Sequence, residues 1–245
     1  MTTHGYDLTD MRPPQLGLIA LQSDESIEAD FRRMLPEGLE LMVSRVASAQ
    51  NVSAASLQKM EAHLTSAAAL FPSGAQMSAV AYGCTSGTAQ IGQARIAALI
   101  RAGVASPAIT EPVSALIAAC AHLGIRRLAM LSPYVAEVSA RLREVLAEAG
   151  IASAGFGSFN EPEEAKVVRI APHSIIDAGC AAAGREECDA LFLSCTNLRT
   201  LDVIDKMEAQ LGMPVLSSNQ VLAWHLCGLA GNRNALFAPG CLWRG

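Results

Sequence analysis

The chain has 245 residues, a formal net charge of −5, 51% hydrophobic residues and 17% charged residues. That length can bury a large core, and the apolar content excludes an intrinsically disordered chain. Only 4% of the residues are aromatic and no basic block is present, which argues against a nucleic-acid partner.

The seven cysteines form no Cys-x-x-Cys pair and no Cys/His cluster at zinc spacing, so we expect no structural metal. The N-terminus lacks the basic-then-apolar pattern of a secretion signal, and no apolar run approaches the length that crosses a bilayer. An odd number of cysteines without an export signal indicates reduced thiols and a cytoplasmic location.

Strand and helix patterns alternate after a loose N-terminal arm, residues 1–14. The first half predicts strands at Leu16–Leu21, Leu39–Val46, Ser78–Tyr82 and 107–110, and helices at Ser26–Leu35, Ser53–Leu70, Thr88–Ala102 and Val113–Leu123. The strands are short and mostly apolar, as expected for a parallel sheet that is covered on both faces.

The same order restarts after Gly124. The second half predicts strands at Arg127–Leu131, Ala152–Phe156, Ala190–Leu193 and 214–217, and helices at Tyr134–Ala149, Ile175–Ala183, Leu201–Leu211 and Gln220–Leu229. The longest irregular stretch, Gly157 to Ser174, is a lid or a plain surface loop. We therefore expect a first α/β lobe over 15–124 and a second over 125–245, with part of the C-terminal helix able to pack on the first lobe.

Two cysteines occupy matching positions in these halves. Cys84 and Cys195 each follow an apolar run and one small residue, and each precedes a threonine and a polar turn. They lie 111 residues apart, close to the 107 residues that separate the matching segments beginning at Pro107 and Pro214. This duplication predicts two thiols at strand ends that face one cleft, where α/β sheets bind ligands.

A thiol just before a helix N-terminus is close to unpaired backbone N–H groups, which lower its pKa and favour the thiolate. The same N–H groups, with the hydroxyls of Thr85, Ser86 and Thr196, form a site for a carboxylate. One thiolate can remove a proton from a bound acid while the other thiol supplies one. Alternatively, one thiolate adds to a carbon–carbon double bond. The remaining five cysteines are typical of small buried residues: Cys120, Cys180, Cys188, Cys227 and Cys241.

The chain resembles the aspartate/glutamate racemase superfamily, in the branch of maleate cis-trans isomerases and arylmalonate decarboxylases. The resemblance covers nearly the whole chain and rests on Gly83-Cys84-Thr85-Ser86, Ser132-Pro133-Tyr134, Val168-Arg169-Ile170, Ser194-Cys195-Thr196 and Pro214-Val-Leu-Ser-Ser. It implies an α/β fold with two flavodoxin-like lobes, parallel sheets related by pseudo-twofold symmetry, an active site in the cleft between the lobes, and no cofactor.

The resemblance also implies roles for individual residues. Cys84 would attack the double bond, Cys195 would handle the proton, and Tyr134 would donate a hydrogen bond to a substrate carboxylate. Decarboxylases of this branch carry glycine at the first cysteine, so Cys84 argues against decarboxylation. Amino-acid racemases usually carry histidine where this chain has Asn197, which argues against a glutamate racemase.

The chain departs from the maleate isomerases at the first strand end. Those enzymes carry Pro-Ser-Ser-Asn there, whereas this chain has Leu21-Gln-Ser-Asp24, most similar to the racemase-like protein of ectoine-utilisation operons. An ionised Asp24 would repel a carboxylate. It either faces a substrate that carries an amine or amide, or only caps the helix that begins near Ser26. The substrate-binding asparagine of the family corresponds to Asn160, with extra residues at Glu161–Ala165.

The sequence thus predicts a cofactor-independent isomerase or racemase acting on a small carboxylate through Cys84 and Cys195. Its other predicted contacts are with substrate through Asp24, Thr85, Ser86, Tyr134, Asn160, Thr196 and Asn197. We expect a homo-oligomer, a dimer or tetramer, with no nucleic-acid or membrane partner. The alternatives are a decarboxylase that uses Cys195 alone and a non-catalytic carboxylate-binding protein.

Overall fold

The computed structural model describes residues 1–9, 11–184, 186–232 and 238–244. In the first half of the chain, four strands form one parallel sheet: β1 (Gln15–Leu21), β2 (Glu40–Val46), β3 (Met77–Gly83) and β4 (Ile109–Thr110). In the second half, four more form another: β5 (Arg127–Ser132), β6 (Ala152–Ser158), β7 (Ala190–Leu193) and β8 (Val215–Ser217).

The two sheets have the same topology. Their strand orders are β2-β1-β3-β4 and β6-β5-β7-β8. In each sheet, the first strand in the sequence lies between the second and the third, and the fourth lies at the edge beside the third. Every residue of β1 and of β7 is buried, because helices cover both faces of a parallel sheet. The predicted α/β class with two related parallel sheets is confirmed.

Helices connect and cover these strands. In chain order they are α1 (Ile27–Met34), α2 (Ala54–Lys59), α3 (Glu61–Ala68), α4 (Thr85–Ile91), α5 (Gln93–Gly103), α6 (Pro112–Leu123), α7 (Ala136–Glu148), α8 (Glu164–Val167), α9 (Pro172–Ala183), α10 (Leu201–Leu211) and α11 (Ser218–Leu229). A short 3-10 helix covers Cys241–Trp243. Among the described residues, no helix is long and apolar enough to cross a membrane.

Several predicted elements are divided differently in the structure. The single helix predicted for Ser53–Leu70 is interrupted at Met60, which separates α2 from α3. The helix predicted from Thr88 begins at Thr85 and breaks at Gly92, whose φ of +96° places it outside the helical region. The irregular stretch predicted from Gly157 contains the one-turn helix α8 and the start of α9. These breaks are local, so the order of strands is unaffected.

The C-terminal part of the chain connects the two sheets. Helix α11 follows β8 of the second sheet, yet it packs against α6, β3 and α1 of the first half. Its N-terminus is fixed by a capping box in which Ser217 accepts a hydrogen bond from the backbone of Gln220. Helix α4 similarly packs against α7 of the second half. The carboxyl ends of β3 and β7 are thereby held facing a common space.

Candidate active site

Both predicted cysteines line one pocket between the two sheets. Cys84 follows β3 directly and Cys195 lies two positions after the end of β7. Four further residues of the predicted site line the same pocket: Thr85, Ser86, Tyr134 and Thr196. The cavity has a volume of ≈ 20 Å³, enough for about one water molecule. Six of the nine site residues selected from the sequence therefore line one pocket.

Cys84 is held at the first turn of α4. It is the N-cap residue, and its Sγ accepts a hydrogen bond from the backbone N–H of Gly87 at 3.2 Å. A side chain at position 87 would not fit, since a Cβ there would lie 2.8 Å from the Cys84 sulfur and 2.7 Å from the Tyr82 hydroxyl. Glycine at this position allows the backbone to approach the thiol.

Cys195 has an unusual backbone conformation. Its φ is +133°, a backbone conformation that residues other than glycine rarely adopt. Such backbone strain costs on the order of 1–3 kcal/mol. The surroundings hold it there: the Cys195 N–H donates to Ser218 Oγ at 2.9 Å, and the Asn197 N–H donates to Cys195 Sγ at 3.3 Å. Strain of this kind is concentrated at functional sites, so the conformation supports a role for this thiol.

The two cysteine turns are connected to each other. The Thr196 hydroxyl donates to the carbonyl oxygen of Gly83 at 3.2 Å. The Thr85 hydroxyl donates to Ser218 Oγ at 2.7 Å, and that same oxygen accepts from the Cys195 backbone. Sequence reasoning did not single out Ser218, although it belongs to the Pro214-Val-Leu-Ser-Ser motif. These bonds fix the relative positions of the two thiols.

The pKa of each thiol is shifted in the direction opposite to our prediction. Burial raises the pKa of Cys84 to about 12 and raises that of Cys195 well above its ordinary value. The N–H of Gly87 lowers the pKa of Cys84, as expected at a helix N-terminus, but the loss of hydration is larger. Cys195 does not cap a helix, because a turn separates it from α10. Both thiols are therefore protonated at neutral pH in the pocket.

Glu164 is the one ionisable residue of the pocket lining that sequence analysis missed. It lies at the start of α8, is 2% exposed, and lines the pocket together with both cysteines. The Tyr134 hydroxyl donates to Glu164 Oε1 at 2.7 Å and lies 3.0 Å from Cys195 Sγ. Burial raises the pKa of Glu164, although hydrogen bonds from Asn197 and Tyr134 lower it. The sequence signal was weak, because Glu161, Glu163 and Glu164 stand together and only burial distinguishes the third.

Asp24 is buried but performs a structural task. Its Oδ1 accepts hydrogen bonds from the backbone N–H groups of Ser26 and Ile27, at 2.9 and 2.8 Å, and so caps α1. It does not line the pocket. Its second oxygen, Oδ2, has no hydrogen-bond partner in the described part of the chain. Asp24 therefore caps α1 through Oδ1, as one of the two predicted alternatives states, and Oδ2 is left as a buried acceptor.

The two predicted asparagines have different positions. Asn197 is buried behind the pocket: its Nδ2 donates to Glu164 Oε2 at 2.7 Å, and its Oδ1 accepts from the Glu25 backbone at 2.9 Å. Asn160 is exposed, with a φ of +55°, and does not line the pocket. Its backbone N–H donates to Ser158 Oγ, which fixes a turn before α8. Glu164, four residues further on, lies in the pocket where we had expected Asn160.

One segment supplies much of the pocket lining. Residues 48–60 supply six of its lining residues, and they are connected to the start of α8 by backbone hydrogen bonds. The Val52 N–H donates to the Pro162 carbonyl at 2.9 Å, and the Glu164 N–H donates to the Gln50 carbonyl at 3.0 Å. These bonds hold the segment from 48 to 60 against the start of α8, on which Glu164 lies. No three His, Cys, Asp or Glu side chains are grouped as metal ligands within the described ranges.

Comparison with known proteins identifies the family. The arylmalonate decarboxylase family matches residues 16–242. The chain belongs to this family. It is 34% identical to arylmalonate decarboxylase of Bordetella bronchiseptica over 120 residues, 48% of this chain and 49% of that one. It is 27% identical to maleate isomerase of Geobacillus stearothermophilus over 220 residues, 83% of this chain and 86% of that one.

Solved structures of the family have the same fold. A liganded mutant of arylmalonate decarboxylase superposes with a TM-score of 0.84 at 27% identity, covering 94% of this chain and 98% of that one. The maleate isomerase Iso from Pseudomonas putida S16, with maleate, also gives a TM-score of 0.84, at 20% identity and coverage of 95% and 98%. The resemblance inferred from the motifs is thus confirmed at the level of the family and the fold.

Proposed function

We propose that the chain is a cofactor-independent isomerase or racemase that acts on a small carboxylate. The observation that carries the proposal is that Cys84 and Cys195 line one pocket from the ends of equivalent strands of the two sheets. A second thiol in the pocket favours a two-thiol reaction over decarboxylation by Cys195 alone. Relatives named as maleate isomerase support this choice.

In the isomerisation route, the sulfur of Cys84 adds to one carbon of a carbon–carbon double bond, and a proton from Cys195 goes to the other carbon. The carbon–sulfur bond forms as the double bond becomes single, which permits rotation. Removal of the proton by Cys195 and loss of the Cys84 thiolate then restore the double bond. A cysteine-to-serine mutant of the maleate cis-trans isomerase from Nocardia farcinica has the same fold, with a TM-score of 0.83 at 19% identity, and holds a covalently bound succinylcysteine intermediate.

In the racemisation route, one thiolate removes the proton next to the carboxylate and the other thiol returns a proton to the opposite face. Both routes start from one ionised thiol. Burial raises the pKa of both cysteines, and we propose that ligand binding supplies the change that ionises one of them. Tyr134 lies where it can assist, because its hydroxyl contacts the Cys195 sulfur at 3.0 Å.

The test is an incubation in deuterium oxide with a panel of small unsaturated and amino carboxylates, followed by NMR and chiral chromatography. We expect deuterium incorporation and interconversion of isomers without added cofactor and without carbon dioxide release. Release of carbon dioxide would favour the decarboxylase. A ligand that raises the melting temperature but exchanges no proton would instead identify a binding protein. The ectoine connection, the cytoplasmic location and the oligomeric state stay predictions from the sequence.

A further inference from the structure

The pocket contains a buried carboxylate whose hydrogen-bond partners are neutral. Tyr134 and Asn197 each donate to one oxygen of Glu164, both at 2.7 Å. Glu164 forms no ion pair with any described residue. A carboxylate removed from water to this degree is costly unless an opposite charge compensates it.

The rest of the pocket offers no compensating charge. None of its fourteen lining residues is Lys, Arg or His. The negative charge of Asp24, buried behind the pocket, raises the pKa of Glu164 further. Arg45 lies near Asp24, but it forms an ion pair with Glu28 and donates to the backbone carbonyl oxygens of Leu21 and Asp24. The pocket lining therefore offers an acidic side chain and no basic one.

We infer that Glu164 binds a positively charged amino group of the substrate, so that the site takes an amino carboxylate rather than a dicarboxylate. This inference rests on the proposed function, because it names the substrate class of the same pocket. The Tyr134 hydroxyl contacts both Glu164, at 2.7 Å, and Cys195, at 3.0 Å. An ammonium group on Glu164 is thus close to the carbon on which Cys195 acts.

Charge balance couples this recognition to the thiols. Burial is the largest cause that raises the pKa of Cys84 and of Cys195. The charge of Glu164 is the next largest cause that raises both. An ammonium group beside Glu164 offsets the negative charge of Glu164 and favours a thiolate. A second substrate carboxylate in the same place increases the negative charge of the pocket and disfavours a thiolate. An amino carboxylate therefore supplies the change that ionises a thiol, whereas a dicarboxylate opposes it.

The experiment measures binding by calorimetry, separately from turnover. The probes are 2-, 3- and 4-aminobutyrate, compared with succinate and maleate, each titrated into the full-length protein carrying Cys195→Ser. We expect at least one aminobutyrate to bind more tightly than both dicarboxylates. Glu164→Gln should weaken that aminobutyrate about tenfold or more, the size expected for one hydrogen bond to a charged group, and should strengthen the dicarboxylates.

Glu163→Gln is the matched control. Glu163 is the neighbouring residue, its side chain pairs with Lys166 at 2.6 Å, and it lies outside the pocket. This variant should keep the preference of the parent protein. Circular dichroism and thermal melting check that each variant is folded, and Glu164→Asn provides a second neutral variant if Glu164→Gln is not.

Three results would overturn the inference: a parent protein that binds succinate or maleate better than every aminobutyrate, a parent that binds no aminobutyrate, or an unchanged preference in Glu164→Gln. An unchanged preference with lower turnover on all substrates would mean that Glu164 acts on Cys195 through Tyr134. Deuterium exchange catalysed by the unmodified protein tests the two-cysteine reaction independently. A wrong substrate class can thereby be told apart from a wrong reaction.

Discussion

Asp30 is a buried carboxyl that supports the turn carrying Cys195. It is 7% exposed and accepts a hydrogen bond from Asn219 Nδ2 at 2.7 Å, and the same nitrogen donates to the Thr196 carbonyl at 2.8 Å. Burial raises the pKa of Asp30 from 3.8 to about 6, although Asn219 and the charge of Arg33 lower it. We predict that Asp30→Asn stabilises the folded protein at neutral pH.

The magnitude follows from this rise in pKa. A tenfold change in an ionisation constant corresponds to about 1.4 kcal/mol, so a rise from 3.8 to about 6 corresponds to about 3 kcal/mol. Well below pH 3.8, Asp30 is neutral in both the folded and the unfolded chain, and the stability of the variant should match that of the wild type. Between pH 4 and 6 only the unfolded chain loses the proton, so the wild type loses stability. Above pH 6 the variant should be more stable by about 3 kcal/mol.

The assay is urea denaturation of both proteins at intervals from pH 4 to 8, compared as a difference so that other ionisations cancel. Asp177→Asn, an exposed position on α9, is the control and should follow the wild type throughout. A stability difference for Asp30→Asn that is the same at pH 4 and pH 7 would contradict a raised pKa of Asp30 in the folded protein. A variant less stable than the wild type at pH 7 would refute it as well.

Two further predictions concern side chains of the pocket. Because Cys195 has a φ of +133°, the Cys195→Gly protein should be more stable than the Cys195→Ala protein by about 1 kcal/mol. Cys84 has a φ of −152°, so there the alanine variant should be the more stable of the two. Urea denaturation of the four variants measures both differences, and the same order at both sites would contradict the prediction. Tyr134→Phe leaves Glu164 with one hydrogen bond fewer and should lose about 1–3 kcal/mol of stability and at least about tenfold in turnover. Tyr82→Phe loses a contact of 3.7 Å to a methionine sulfur and a hydrogen bond to the Cys84 thiol, but no bond to a carboxylate. It should cost less stability than Tyr134→Phe, and an equal loss in both variants would count against a special role for the bond between Tyr134 and Glu164.

Much of the fold follows from patterns that are local in the sequence. Short apolar strands alternating with helices indicated parallel sheets, and the matching Cys-Thr turns indicated two related halves. Each strand, helix and Cys-Thr turn depends on residues that are close in the chain, so it can be predicted from the sequence. Helix breaks at Met60 and Gly92 were not predicted, because apolar residues continue at helical spacing through both positions.

The chemistry of the site depends on burial, which no local pattern carries. The sequence placed Cys84 and Cys195 correctly at strand ends, but the predicted direction of their pKa shifts was wrong, since loss of hydration exceeds the effect of nearby N–H groups. Glu164 was missed for the same reason: packing of α8 against the segment from 48 to 60 buries one of three adjacent glutamates. Asn160 was selected because it corresponds to the substrate-binding asparagine of the family, and the sequence did not indicate the turn that exposes it.

In the proposed reaction, Cys84 and Cys195 act on one substrate. The most direct measurement is the rate of proton exchange or isomer interconversion in Cys84→Ser and in Cys195→Ser, using a substrate found in the deuterium oxide screen. Each variant should lose at least about a hundredfold in rate, the scale of proton transfer by a positioned side chain. Cys120→Ser, a buried cysteine on α6 outside the pocket, should retain the wild-type rate. Full turnover in either single variant would contradict the two-thiol account.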